Sequence, residues 1–111
     1  MYKKTEDLLK KFEQEYEVYI DARDQKVYWM ITAKMPKKTD DLHNLHREKQ
    51  YISGRDQGGT VLIIQNPQVY ENYTIEQWGP MDTFDDFVSK AISAIKEDIE
   101  EWENDCKTSC D

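Results

Sequence analysis

Four groups of residues have types and spacings that could do chemistry. His43 and His46, within DDLHNLHRE, stand three apart. On one helical turn they would share a face and could hold a metal, with Asp40 or Asp41 as third ligand. Metal motifs supply more ligands in a better-defined frame, so the expected state is two exposed polar residues beside Leu42 and Leu45, with no metal. Cys106 and Cys110 are spaced C-x3-C rather than C-x2-C, and no alternation of strand and helix surrounds them, so free thiols in a tail are expected. SGRDQGGT holds three glycines but lacks the lysine of a phosphate-binding loop, and a strand rather than a helix follows it, so it reads as a hairpin loop. No Ser-His-Asp arrangement is suggested, and carboxylates are too abundant for any one pair to be informative. Neither an enzyme nor a cofactor is expected.

The fourth group is IKEDIEEWEND, Ile95 to Asp105, with six carboxylates on what reads as the end of a helix. That end is the negative pole of the macrodipole and favours Lys or Arg. Glu97–Glu101 would be an i,i+4 pair, and Asp98–Glu101 and Glu97–Glu100 i,i+3 pairs, each costing about 0.2–0.5 kcal/mol. The run can be a hydrated face that aids solubility, or an acidic docking surface. In the second reading the binding residues are Glu97, Asp98, Glu100, Glu101, Trp102, Glu103 and Asp105. Helix neighbours such as Asp98, Glu101 and Asp105 lie about 5–6 Å apart, a spacing comparable to successive phosphates. Aromatics beside such charges suit a protein-binding face.

Charge supports a cationic partner. The chain of 111 residues carries a net charge of −8, and residues 82–111 set ten carboxylates against Lys90, Lys96 and Lys107, a net of −7. Phosphate would be repelled from this end, so the expected partner is a basic nucleic-acid-binding protein, with no direct contact to nucleic acid. No signal-like apolar run or membrane span is visible, and both cysteines fall in the last six residues, so a cytoplasmic protein is expected.

The elements that must position these groups follow from periodicity. TEDLLKKFEQE reads as a helix over residues 5–15, with Thr5 as N-cap, Leu8, Leu9, Phe12 and Tyr16 as its apolar stripe, and Lys10, Lys11 and Glu13 facing water. Residues 17–34 read as a hairpin, with Val18 and Ile20 on one face of the first strand, Val27, Trp29, Ile31 and Ala33 on one face of the second, and a turn at Asp21–Gln25. Residues 35–58 are irregular, with a short helix expected after Thr39 and a short strand at Tyr51 and Ile52. TVLIIQ, residues 60–65, is apolar on both faces and predicts a central strand covered on both sides. NYTIEQW gives the last strand, and Gly79-Pro80 ends the sheet. The final helix starts at an N-cap Thr83 with Asp86 in a capping-box position, and runs through Phe84, Phe87, Val88, Ala91, Ile92, Ile95, Ile99 and Trp102. Burying an unpaired aspartate is costly, so the turns carrying Asp98 and Asp105 are expected to overhang the sheet. The predicted fold is α+β: an antiparallel sheet of about four strands flanked by an N-terminal helix and a long C-terminal acidic helix. It forms one domain over 1–105, with a flexible tail over 106–111.

The run NYTIEQW…DTFDDFVSKAISAIKEDIEEWEND resembles the C-terminal half of small acidic phage anti-CRISPR proteins that inhibit type II RNA-guided DNA nucleases. In some of these a strand leads into an F-x-x-x-[FI]-S-x-x-x-x helix with a Glu/Asp/Tyr-rich end. Phe87, Val88, Ser89, Ala91, Ile92 and the Glu97–Asp105 cluster hold comparable places here. The resemblance covers about a third of the chain, and residues 35–58 have no counterpart in it. It implies an inhibitor in the host cytoplasm whose carboxylates fill the basic cleft where the nuclease reads DNA, as a DNA mimic. The alternative expectation is an immunity protein capping a basic nuclease toxin, which needs the same electrostatics.

Overall fold

Alternation at period two puts Ile20 and Ala22 on the same face as Trp29, Ile31 and Ala33 once the strands pair. The computed structural model shows this pairing, and describes residues 3–16, 18–34, 48–55, 59–65, 67 and 72–109, with side chains for those within 5–101. The elements are α1 (Lys3–Tyr16), β1 (Tyr19–Asp24), β2 (Tyr28–Lys34), β3 (Glu48–Gly54), β4 (Thr60–Gln65), β5 (Asn72–Gln77) and α2 (Phe84–Ser109). The strands form one antiparallel meander, in the order β1-β2-β3-β4-β5. Both helices pack toward one face of it. The fold is α+β.

There are five strands, where the sequence pattern predicts about four. The added length is β3, which pairs with β2 from Tyr28–Gly54 to Lys34–Glu48 and occupies the middle of the sheet. Its sequence, EKQYISG, is largely polar, yet Tyr51 and Ser53 are buried against the helix side. TVLIIQ is the fourth strand, not the central one. Val61 and Ile63 face the helix side and are buried. Leu62 and Ile64 face the other side, opposite Ile75 and Tyr73 of β5. Among the described residues no helix covers that side, yet Ile64 is buried there; apolarity on both faces of β4 does not make it the central strand. The helix expected after Thr39 lies outside the described residues.

The first helix begins earlier than its apparent cap. Thr5 lies inside α1 and is buried, one turn before Leu9, while Leu8 is 42% exposed. The buried stripe is therefore Thr5, Leu9 and Phe12, with Tyr16 packed beside them. Glu13 does not simply face water: its Oε1 accepts the Ile20 backbone N–H at 2.9 Å and ties α1 to β1. In the hairpin the β1 strand continues to Asp24, and Val27 falls in the turn with 70% exposure.

The last helix starts as expected. Asp86 N–H donates to Thr83 Oγ1 at 3.1 Å, and Thr83 N–H donates to Asp86 Oδ2 at 3.3 Å. Phe84, Phe87, Val88, Ala91, Ile92, Ile95 and Ile99 are all buried. Trp29 packs on Phe84 and Phe87, and Trp78 stacks on Phe87. The helix runs 26 residues, to Ser109, past the domain limit expected at 105. At 1.5 Å per residue it is about 39 Å long.

A glycine pair fixes where β5 leaves the sheet. Gly59 and Gly79 both have positive φ, 93° and 88°. Gly59 carbonyl oxygen accepts the Trp78 N–H at 2.8 Å, which brings the two turns together. A Cβ on Gly59 would lie 1.5 Å from the Gly79 carbonyl oxygen, whereas a Cβ on Gly79 would meet only Lys90 Nζ at 3.5 Å. Gly79→Ala should cost about 1–3 kcal/mol, the strain of its φ alone. Gly59→Ala should cost distinctly more, because backbone must also move. Urea denaturation of the two variants checks the order, and equal costs would refute the close approach.

Candidate protein-docking surface

The acidic half of α2 is sorted by how the helix lies on the sheet. Its buried stripe ends, among the described side chains, at Ile99. Asp98 sits on the flank of that stripe and reaches the helix side of β3. There its Oδ1 accepts Lys49 Nζ at 3.0 Å, and its Oδ2 accepts a short hydrogen bond from the Tyr51 hydroxyl. Lys49 and Asp98 side chains are only 19% and 16% exposed, and Tyr51 is buried. Lys49 and Tyr51 can act together because residues two apart on a strand share a face.

This corrects one expectation. An unpaired buried carboxylate is too costly, so Asp98 is expected to overhang the sheet. The structure removes the premise: the carboxylate is half-buried but has a cation and a hydroxyl of its own, which offset desolvation. Asp98 is spent inside the molecule.

Glu97, Glu100 and Glu101 behave differently. All three are exposed, and among the described residues none forms an ion pair. Nearby cations are engaged elsewhere. Lys90 Nζ donates to the carbonyls of Trp78 at 3.0 Å and Pro80 at 2.9 Å. Lys96 Nζ lies 5.9 Å from the Tyr16 ring centroid, on the α1 side. The glutamates thus present uncompensated negative charge to solvent. The helical backbone carries Trp102, Glu103 and Asp105 onward, but their side chains lie outside the described residues, so the cluster's full face is not described. Between α2 and β5 lies an open groove lined by Glu76, Trp78, Lys90, Ser93, Ala94 and Glu97.

Other candidates are quickly placed. His43, His46, Asp40 and Asp41 lie outside the described residues, as do the Cys106 side chain and Cys110. Among the described residues no three His, Cys, Asp or Glu side chains are grouped to hold a metal. Nor is any described helix long and apolar enough to cross a membrane. The sequence pattern puts Tyr51 on a short strand but leaves Lys49 in an irregular stretch and gives neither a role; the available signal is the i,i+2 spacing of KQY, which puts a cation and a hydroxyl on one strand face. No protein-family model, curated protein or solved structure matches the chain.

The Tyr51 phenol is held above its ordinary pKa, first by burial and then by the charge and hydrogen bond of Asp98. Folding therefore favours the protonated phenol. The stability this confers is complete below the unfolded value of about 10 and is lost as pH rises above it, by up to about 1.4 kcal/mol per pH unit. Tyr51→Phe should cost about 1–3 kcal/mol at neutral pH and should flatten the fall in stability above about pH 10. Denaturation midpoints of both proteins across that range test it, and identical alkaline slopes would show that Tyr51 is not buried against Asp98.

Proposed function

We propose that this protein is a non-enzymatic acidic inhibitor that docks the C-terminal half of α2 in the basic nucleic-acid-binding cleft of a nuclease, as a mimic of DNA. The observation that carries the reading is the division on α2: Asp98 is paired with Lys49 and accepts the Tyr51 hydroxyl, whereas Glu97, Glu100 and Glu101 are exposed and form no ion pair among the described residues. Charge needed only to seat the helix would be paired internally. Charge left uncompensated on an exposed helix face is available to a cationic partner at no cost in broken internal pairs, even though α2 continues past these glutamates to Ser109.

The geometry suits a phosphate-binding cleft. Glu97 and Glu101 are one helical turn apart, with side chains about 5–6 Å from each other. Arginines that grip a nucleic-acid backbone, or read a short motif on it, accept carboxylates in the same bidentate manner. Steering by the concentrated charge would make encounter fast and salt-sensitive. The resemblance of the C-terminal half to anti-CRISPR proteins makes a type II RNA-guided DNA nuclease in the host cytoplasm the first target to test.

Glu97→Lys with Glu101→Lys should leave the fold intact or slightly more stable, because like-charge repulsion along the helix face is relieved. The same change should weaken inhibition of DNA cleavage by more than tenfold, about 1.4 kcal/mol or more. Asp98→Ala should do the reverse, losing about 1.5–3 kcal/mol of stability with the docking glutamates kept. Cleavage assays with a type II RNA-guided nuclease, and capture of partners from host lysate eluted by a salt gradient, check the reading. Unchanged affinity of the folded double variant would remove these glutamates from the interface.

A further inference from the structure

The two edges of the sheet are treated differently. At the β1 edge the Ile20 N–H is taken by Glu13 of α1, and Asp21, Arg23 and Asp24 line the strand. Charges and a covering helix are the usual means of keeping an edge from pairing with another chain. The β5 edge has a single charge and, among the described residues, no covering helix. All six residues from Asn72 to Gln77 are exposed, and no helix covers either face of the strand among the described residues. Tyr73 and Ile75 are 64% and 66% exposed. The strand pairs with β4 without a bulge from Thr60–Gln77 to Gln65–Asn72, and its one charge is Glu76.

Ladder geometry shows which groups face outward. Trp78 N–H donates to the Gly59 carbonyl, so residue 78 turns its backbone toward β4. By alternation along an antiparallel ladder, residues 76, 74 and 72 do likewise. Tyr73 and Ile75 then aim their N–H and C=O groups away from the sheet.

We propose that β5 pairs antiparallel with β5 of a second copy of this chain, across a two-fold axis at Thr74. Such an axis is perpendicular to the sheet, so it keeps α2 of both copies on one side, and opposed residues must share a face. Centred on Thr74, the register sets Tyr73 opposite the second copy's Ile75, twice. These are aromatic–β-branched pairs, and they occur where the outward backbone groups meet. Thr74 opposes its own counterpart, and the Asn72 amide opposes the Glu76 carboxylate. The two Glu76 residues end up four residues apart along the ribbon, about 13 Å, beyond the screening length of about 8 Å at physiological salt. Centring on Ile75 instead would halve that separation and set Tyr73 against Gln77. The strand is thus self-complementary in one register. The helix side of β5 offers room, since Asn72, Thr74 and Glu76 are all exposed and an open groove separates the strand from α2. The result is a ten-stranded sheet whose interface is small, so the dimer forms at chain concentrations on the order of 0.1–1 mM.

This inference is independent of the docking glutamates. Both copies are negatively charged, so added salt strengthens the dimer, whereas it weakens capture by a basic partner. In a Cys106→Ser, Cys110→Ser background, Thr74→Cys should form a covalent dimer on mild oxidation about tenfold faster than Asn72→Cys, because only Thr74 faces itself across a close non-hydrogen-bonded pair. In the unsubstituted protein the Tyr73 and Ile75 amides should gain hydrogen-exchange protection as concentration rises, in step with a monomer–dimer shift in sedimentation. Ile75→Lys, with an unchanged melting temperature, should abolish both effects. A monomer throughout this range, or a dimer with no preference for cross-linking at Thr74, overturns the proposal. So does protection of these amides that requires a different protein's strand.

Discussion

The seating of Asp98 between Tyr51 and Lys49 sets the rotation of α2, and with it everything the helix shows to solvent. Apolar packing alone leaves a helix some freedom to roll, because Ile, Val and Phe side chains make no directional contacts. A carboxylate held by a hydroxyl on one oxygen and an ammonium on the other does not share that freedom. Each residue on a helix is turned about 100° from the last, so fixing Asp98 inward fixes Glu97 and Glu101 outward together. The same contact couples the surface to the middle of the sheet, since Lys49 and Tyr51 belong to the central strand.

That coupling explains what could and could not be read from the chain. The capping box at Thr83 and Asp86, the α2 stripe from Phe84 to Ile99, and the β1–β2 alternation are local patterns, and each was legible because its partner lies within a few residues. β3 was not. Its residues Glu48, Lys49 and Gln50 are polar, and a polar residue on the helix side of a central strand makes sense only when its partner, Asp98, is known to lie 49 residues away. Thr5 misled for a related reason: threonine before two acids is a good start signal, but α1 takes its register from burial of Thr5 with Leu9 and Phe12. The position of β4 misled because strand order follows which edges pair, β3 on one side and β5 on the other, and not how apolar a strand is. Of the acidic cluster, the sequence marked the residues but could not separate the paired aspartate from the presented glutamates.

The energetics of α2 are then consistent across levels. Each like-charge pair among Glu97, Glu100 and Glu101 costs only a few tenths of a kcal/mol at an exposed site, roughly, and salt reduces it. Burial of a single isoleucine side chain contributes about 1.5–3 kcal/mol, and Ile92, Ile95 and Ile99 are all buried. The apolar face therefore holds the acidic face in place with a wide margin. A helix seated so firmly can present charge that an isolated helix would shed by fraying.

Charge and the open edge of β5 bear on each other. A bare six-residue edge is ordinarily a route to uncontrolled stacking. Here the strand has only one free side, because its other side is committed to β4. Pairing of two such edges consumes both, so growth stops at two copies. The net charge of −8 opposes less ordered association. It acts through residues 82–111, which carry most of the excess. A two-fold at Thr74 runs the two α2 helices in opposite directions, which keeps their acidic ends apart. Stacking sheets face to face, or pairing strands in parallel, would bring like ends together instead. The negative charge thus selects, among the ways β5 could pair, the one in which it is least opposed.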